Sequence, residues 1–239
     1  MSEGLSFAEK ILLFNEDLSS KSLDLPDGFK IINPFREENK EEIMEISKVF
    51  YGKYYDDSHT RRLILGSSPA RRGSAITGIP FEDAFYLQRE AGIRIEKYYV
   101  NKSSTGFLSD VIAEYGGRGK FYQDFYMNFV CPLGIVKTNL KGREINCNYY
   151  ENEKLRDFLY SFIVEALRSQ IAFGIDVSVC YCIGSGENYK FLSRINEKHR
   201  FFGKILPLEH PRFIMQYNSK RKDEFIKKYL NALCDQVER

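Results

Sequence analysis

The sequence has no tryptophan, only three histidines and no Cys-x-x-Cys pair, and no apolar run reaches bilayer-spanning length. Three histidines without ligand spacing argue against a zinc site, so neither metal nor cofactor is expected. The five cysteines, Cys131, Cys147, Cys180, Cys182 and Cys234, show no framework spacing. They read as reduced, mostly buried thiols of a cytosolic protein. Residues 1–10 lack the basic start and apolar core of a signal peptide. The expectation is a cytoplasmic monomer that does not engage a membrane. Charge of one sign is also scarce: 35 Lys and Arg against 33 Asp and Glu leave a net +2. That excludes a blanket basic surface but not a local patch suited to phosphate. What the chain does have is length and rings. Its 239 residues, with 19 Phe and 16 Tyr, can bury a full core, and no linker or internal repeat divides them. One domain over residues 1–239 is expected.

The most informative stretch runs from Leu63 to Phe81. An apolar run, Leu63-Ile64-Leu65, ends abruptly at Gly66, as a buried parallel strand would. A loop of small residues with Pro69, Arg71 and Arg72 follows, then Thr77-Gly78-Ile79-Pro80-Phe81. In an open α/β sheet, ligands bind at the carboxyl ends of strands. Small residues there let backbone N–H groups approach an anion, and arginines suit phosphate. An ordinary strand-to-helix loop with solvated arginines fits the same spacing. Elsewhere, strands are expected over Arg62–Gly66, Asp124–Cys131, Val177–Ile183 and Lys204–Leu208. Helices are expected over Ser6–Leu13, Glu37–Tyr55, Phe81–Ala91, Ser104–Tyr115, Glu151–Phe173, from Gly186 to Lys198, and Ser219–Gln236. Leu23–Phe35 reads as a connecting segment, and Lys137–Tyr150 as a loop excursion or hairpin. Strands alternating with helices predict an α/β fold, a three-layer α/β/α sandwich around a mostly parallel sheet.

Gly66, Pro69, Gly73, Thr77-Gly78 and Phe81 sit at the spacing of the first motif of the uracil-DNA glycosylase superfamily, and His210-Pro211 matches its second. Cys131-Pro132-Leu133 and Gly184-x-Gly186 look like the single-strand-selective monofunctional (SMUG) branch. The fuller resemblance is to that branch's second, bacterial subfamily. It runs nearly end to end, through Asn33-Pro34-Phe35, Tyr115-Gly116-Gly117, Asn148-Tyr149-Tyr150, Asn188 to Leu192 and His210 to Tyr217.

The resemblance implies an enzyme that takes a damaged nucleotide out of the stack and hydrolyses its N-glycosidic bond. The implied partner is DNA containing uracil or another deaminated base. His210 matches the histidine that donates a hydrogen bond to the departing base; a strand-end cap is the plain alternative. Phe81 matches the aromatic that stacks on the flipped base, or it is core. Gly66 and Ser67 belong to the base-binding loop. Asn128 lies where the superfamily often places a base-reading asparagine, though a buried hydrogen-bonding residue fits as well. Pro69, Arg71 and Arg72 suit the DNA backbone, or the arginines are surface charge. Arg212, Phe213 and Met215 resemble the segment that fills the gap left by the base. The sequence departs from the pattern at Ser68, where the family has the asparagine that positions or activates water, and at Ala70, where it has glycine. Glu82 and Asp83 could substitute, or they are acids at a helix start. Three readings compete: a monofunctional DNA glycosylase with Ser68 and His210 catalytic; a lesion-binding protein whose catalysis is weakened or lost through Ser68; and an enzyme of nucleotides or sugar phosphates. The last lacks both a Walker lysine and a three-glycine dinucleotide fingerprint.

Overall fold

The structure, a computed structural model, describes residues 4–36, 38–71, 73–95 and 104–234. Its centre is a four-stranded sheet ordered β3-β2-β6-β7. The strands are β2 (Arg61–Gly66), β3 (Phe125–Phe129), β6 (Ile175–Ile183) and β7 (Lys204–Leu208), and every pairing among them is parallel. All six residues of β2 are buried, so both faces of the sheet are covered. Helices supply the cover: α1 (Phe7–Ser20), α2 (Lys40–Tyr55), α5 (Ser104–Glu114), α6 (Gly117–Asp124), α7 (Glu153–Ile171), α8 (Glu187–His199) and α10 (Lys222–Cys234). This is the expected α/β architecture. The strands all run one way, so their carboxyl ends, and the loops after them, lie along one edge.

Two arginines anchor the opposite end of β2. Arg61 is buried and grips both oxygens of Asp57 at 2.7 Å, while its Nε donates to the Tyr122 carbonyl at 2.6 Å. Its guanidinium lies 4.7 Å from the ring centres of Phe7 and Tyr55. Arg62 donates to the Leu233 carbonyl at 2.9 Å and to the Tyr181 hydroxyl at 3.1 Å. A buried cation is tolerated only when its donors are satisfied, as here.

A second sheet, antiparallel and ordered β1-β4-β5, comprises β1 (Phe29–Ile32), β4 (Gly134–Thr138) and β5 (Glu144–Cys147). Part of the expected loop at Lys137–Tyr150 is thus the β4–β5 hairpin. Leu23–Phe35, expected to be irregular, holds β1, whose partner lies a hundred residues away in sequence. The expected helix over Phe81–Ala91 is reduced to α4 (Ala84–Tyr86) and a wider turn over Leu87–Ala91. Helix α6 was not legible because two glycines open it, and short α9 (Pro211–Tyr217) lies in the His-Pro segment.

Candidate active site

At the carboxyl end of β2, Gly66 is followed by Ser67, Ser68 and Ala70, which line a cleft of about 580 Å³. Gly73, Ser74, Phe81, Asp83, Thr105, Phe129 and His210 complete the wall. Segments distant in sequence therefore meet at the sheet edge, including the two motif loops.

Gly66 is required by close packing. A Cβ there would lie 2.5 Å from the Phe81 ring and 3.0 Å from that of Phe129. Those two rings stack with centroids 5.0 Å apart and planes 28° from parallel. Phe81 has φ of 62°, a left-handed conformation costly for an aromatic residue. Its N–H donates to Ser74 Oγ at 2.9 Å, which helps hold the turn. The short helix α3 (Ser74–Thr77) leads into that turn through Gly78, which is itself left-handed.

His210 precedes α9 as its N-cap. Its Nδ1 accepts the Arg212 N–H at 3.0 Å, so the neutral ring carries its proton on Nε2. Although His210 is exposed at the rim, desolvation by the surrounding wall, and then the Arg212 charge, hold its pKa below the ordinary imidazole value. The group is a neutral donor at the cleft wall.

Ser68 bears no amide of its own, but it touches one. Ser67 Oγ and Ser68 Oγ both donate to Asn148 Oδ1, at 2.9 and 3.3 Å. Asn148 follows β5 directly. The neighbouring Asn146 accepts the Arg71 N–H at 3.0 Å, so β5 clasps the motif loop at two points. Neither asparagine was singled out by chemistry in the sequence, although Asn148 heads one of the matching segments.

Asn128 is placed away from the cleft. It is buried beside it, with Nδ2 donating to the Tyr126 hydroxyl at 2.6 Å and Oδ1 accepting the Phe129 N–H at 2.9 Å. Alternation along β3 turns Phe129, not Asn128, to the cleft. Glu82 and Asp83 separate likewise. Glu82 is buried against Arg118, at 3.1 and 3.2 Å, and the Tyr122 hydroxyl, at 2.6 Å. Asp83 does line the cleft, but its oxygens accept from the Tyr86 N–H and the Thr105 hydroxyl. Glu82 is thereby kept from the cleft, whereas Asp83 stays at its wall with both oxygens hydrogen-bonded.

Beside the cleft, α9 exposes Phe213 and Tyr217, whose rings lie 5.9 Å apart. Tyr217 belongs to the matching segment but was not expected at this surface. Met215 is half-buried against the core, and Arg212 is exposed. Pro69 lines a separate small cavity that shares Ser74 and Phe129 with the cleft. Arg72 lies outside the described residues.

Parallel strands with a cleft at their carboxyl ends, lined in common by His210 and the stacked ring of Phe81, make this an α/β protein with its candidate site at the sheet edge. Comparison with known proteins makes this specific. Residues 53–234 match the uracil DNA glycosylase superfamily, and the chain belongs to that family. Among solved structures it is similar to wild-type SMUG2 of Pedobacter heparinus, at 42% sequence identity and a TM-score of 0.93. The similarity covers 98% of this chain and 99% of that one. No curated protein matches the chain.

Proposed function

We propose that this protein is a monofunctional DNA glycosylase that excises uracil or a related deaminated base in base excision repair. The observation that carries the reading is the meeting of Ser68, Phe81 and His210 in one cleft. The nucleotide is flipped from the stack and its base slides against Phe81. Phe213 and Tyr217 on α9 fill the space it leaves, while Arg71, Arg72 and Arg212 hold phosphates. Water held at Ser68 attacks the sugar C1′. The new C–O bond forms as the C1′–N bond breaks, and the bonding pair leaves on the base. His210 Nε2–H donates to the base oxygen on which that charge develops. The water's proton passes to solvent, and the departed base takes one up. No lysine is needed, because water rather than an amine is the nucleophile.

Among the described residues the cleft is lined by hydroxyls and carries no amide side chain. Without a fixed carboxamide on its wall, the cleft sets no single donor–acceptor pattern against the base edge. Uracil, hypoxanthine and xanthine are therefore all candidate leaving groups. The same observation favours a second reading, a lesion-binding protein with weakened catalysis. An abasic-site assay on oligonucleotides carrying each base separates them. Base release supports the glycosylase; tight, lesion-selective binding without release supports the second.

A further inference from the structure

We infer that Asn148 is a positioning residue that supplies, from the turn after β5, the amide Ser68 lacks. The inference rests on the glycosylase reading above. It begins with the polarity of one hydrogen bond. Ser68 Oγ donates its only proton to Asn148 Oδ1 at 3.3 Å, and Ser67 donates to the same oxygen at 2.9 Å. A carbonyl oxygen has two acceptor sites, so both are filled. With its proton committed, Ser68 has only lone pairs to offer the cleft it lines. It then accepts a hydrogen bond from a water, and that water turns its own lone pair outward. An attacking water needs this orientation. A free hydroxyl would as readily donate to the water and occupy the lone pair required for attack.

The orientation of Asn148 is itself determined. Its Nδ2 donates to Glu151 Oε1 at 3.2 Å, and its backbone N–H donates to the same oxygen at 2.9 Å. A flipped amide would set oxygen against carboxylate and nitrogen against two hydroxyls that must then reverse. Glu151 is fixed in turn by Lys137, at 2.9 Å. Partial burial works against the Glu151 carboxylate, but Lys137 and the Asn148 donors outweigh it and hold its pKa below the ordinary value. Donors thus converge on Glu151, Lys137 from one side and Asn148 from the other, and Asn148 in turn accepts from Ser68. Ser68 keeps its proton throughout; Asn148 acts through it and touches no reacting atom. The second sheet acquires a task on this account, because Lys137 lies in β4 and Asn148 follows β5.

The test is single-turnover base release at saturating uracil DNA, with DNA affinity measured in parallel. Asn148→Leu keeps the shape and removes the acceptor. It should slow release roughly a hundredfold, the lower end of general-base contributions, with affinity changed less than threefold. Asn148→Asp combined with Glu151→Gln keeps an acceptor for the hydroxyls without setting two carboxylates together, and should stay within tenfold of wild type. In a Ser68→Ala background, Asn148→Leu should add less than threefold, because the residue it acts through is gone. Equal losses in the Leu and Asp variants, or a full loss added in the Ser68→Ala background, would overturn the inference and leave the glycosylase reading intact. Absence of release by the wild-type protein from any deaminated base would overturn both. Circular dichroism melting of each variant separates loss of fold from loss of rate.

Discussion

At the residue scale, rate should depend on donors and acceptors whose directions are already set. His210→Ala removes a donor that strengthens as charge develops on the base. It should cost roughly 3–4 kcal/mol in the chemical step, as loss of one oxyanion donor does elsewhere, and much less in DNA binding. Kinetics of release beside equilibrium binding would check this, and release preserved within a few-fold would remove His210 from its role. The ring also predicts a pH response. Its pKa is lowered, so the native state favours the neutral form. That contribution to stability is fully present above the unfolded-state pKa, about 6.5, and is lost as pH falls through the native value. Protonated Nδ1 can no longer accept the Arg212 N–H. The His210 ring should titrate by NMR with a midpoint below 6.5, and the Arg212 amide signal should move with it. At Ser68, substitution by Asn should raise the single-turnover rate by placing an amide directly at the water, and Ser68→Ala should lower it. Both effects belong at saturating DNA, since water is used only in the chemical step. Unchanged rates in both variants would remove Ser68 from the mechanism.

At the element scale, β2 is held at one end and displays chemistry at the other. The Arg61–Asp57 pair is the hold, and Arg61 is fully enclosed while Asp57 is partly exposed. Breaking a buried pair by removing one partner costs about 3–5 kcal/mol, and the exposure of Asp57 puts Asp57→Asn at the low end. The bond to Arg61 lowers the Asp57 pKa. Its stabilisation is therefore present above the unfolded carboxyl pKa and is lost as pH falls through the native value. Urea midpoints for wild type and Asp57→Asn should differ at pH 7 and converge in acid; coincident midpoints at pH 7 would contradict the pair's weight. Helix α9 has a different task. Phe213 and Tyr217 are about half and two-thirds exposed, and neither is needed for packing. Phe213→Ala should weaken DNA binding by about 1–3 kcal/mol, the range for base–aromatic stacking, without moving the melting temperature. Fluorescence anisotropy measures the first effect and thermal melting the second.

At the scale of the whole molecule, near-neutral charge bounds how DNA can be held. Among the described residues Arg71, Arg212 and Lys220 have no acidic partner, whereas Arg221 pairs with Glu224 and Lys222 with Asp110. Three such cations, each meeting a phosphate, imply a slope of log affinity against log salt of about −3. A flat dependence would count against DNA as the ligand. The sequence by itself determined the parallel sheet, because apolar runs ending at glycine and alternating with amphipathic stretches have few other solutions. It also determined the two loops, because Thr77 to Phe81 and His210-Pro211 are local patterns that carry their own turn and cap. Contacts that join distant segments were decided only by tertiary structure. Asn128 and Phe129 are adjacent, and which of them faces the cleft depends on the register of β3 against β2. Strand β1 was invisible until β4 paired with it, since a short edge segment between Pro26 and Pro34 has little preference of its own. Glu82 and Asp83 look alike in sequence, yet burial gives one to Arg118 and the other to the cleft wall. Asn148 reaches Ser68 across 80 residues, and no spacing rule spans that distance, because it is the folding of the second sheet that brings the two together.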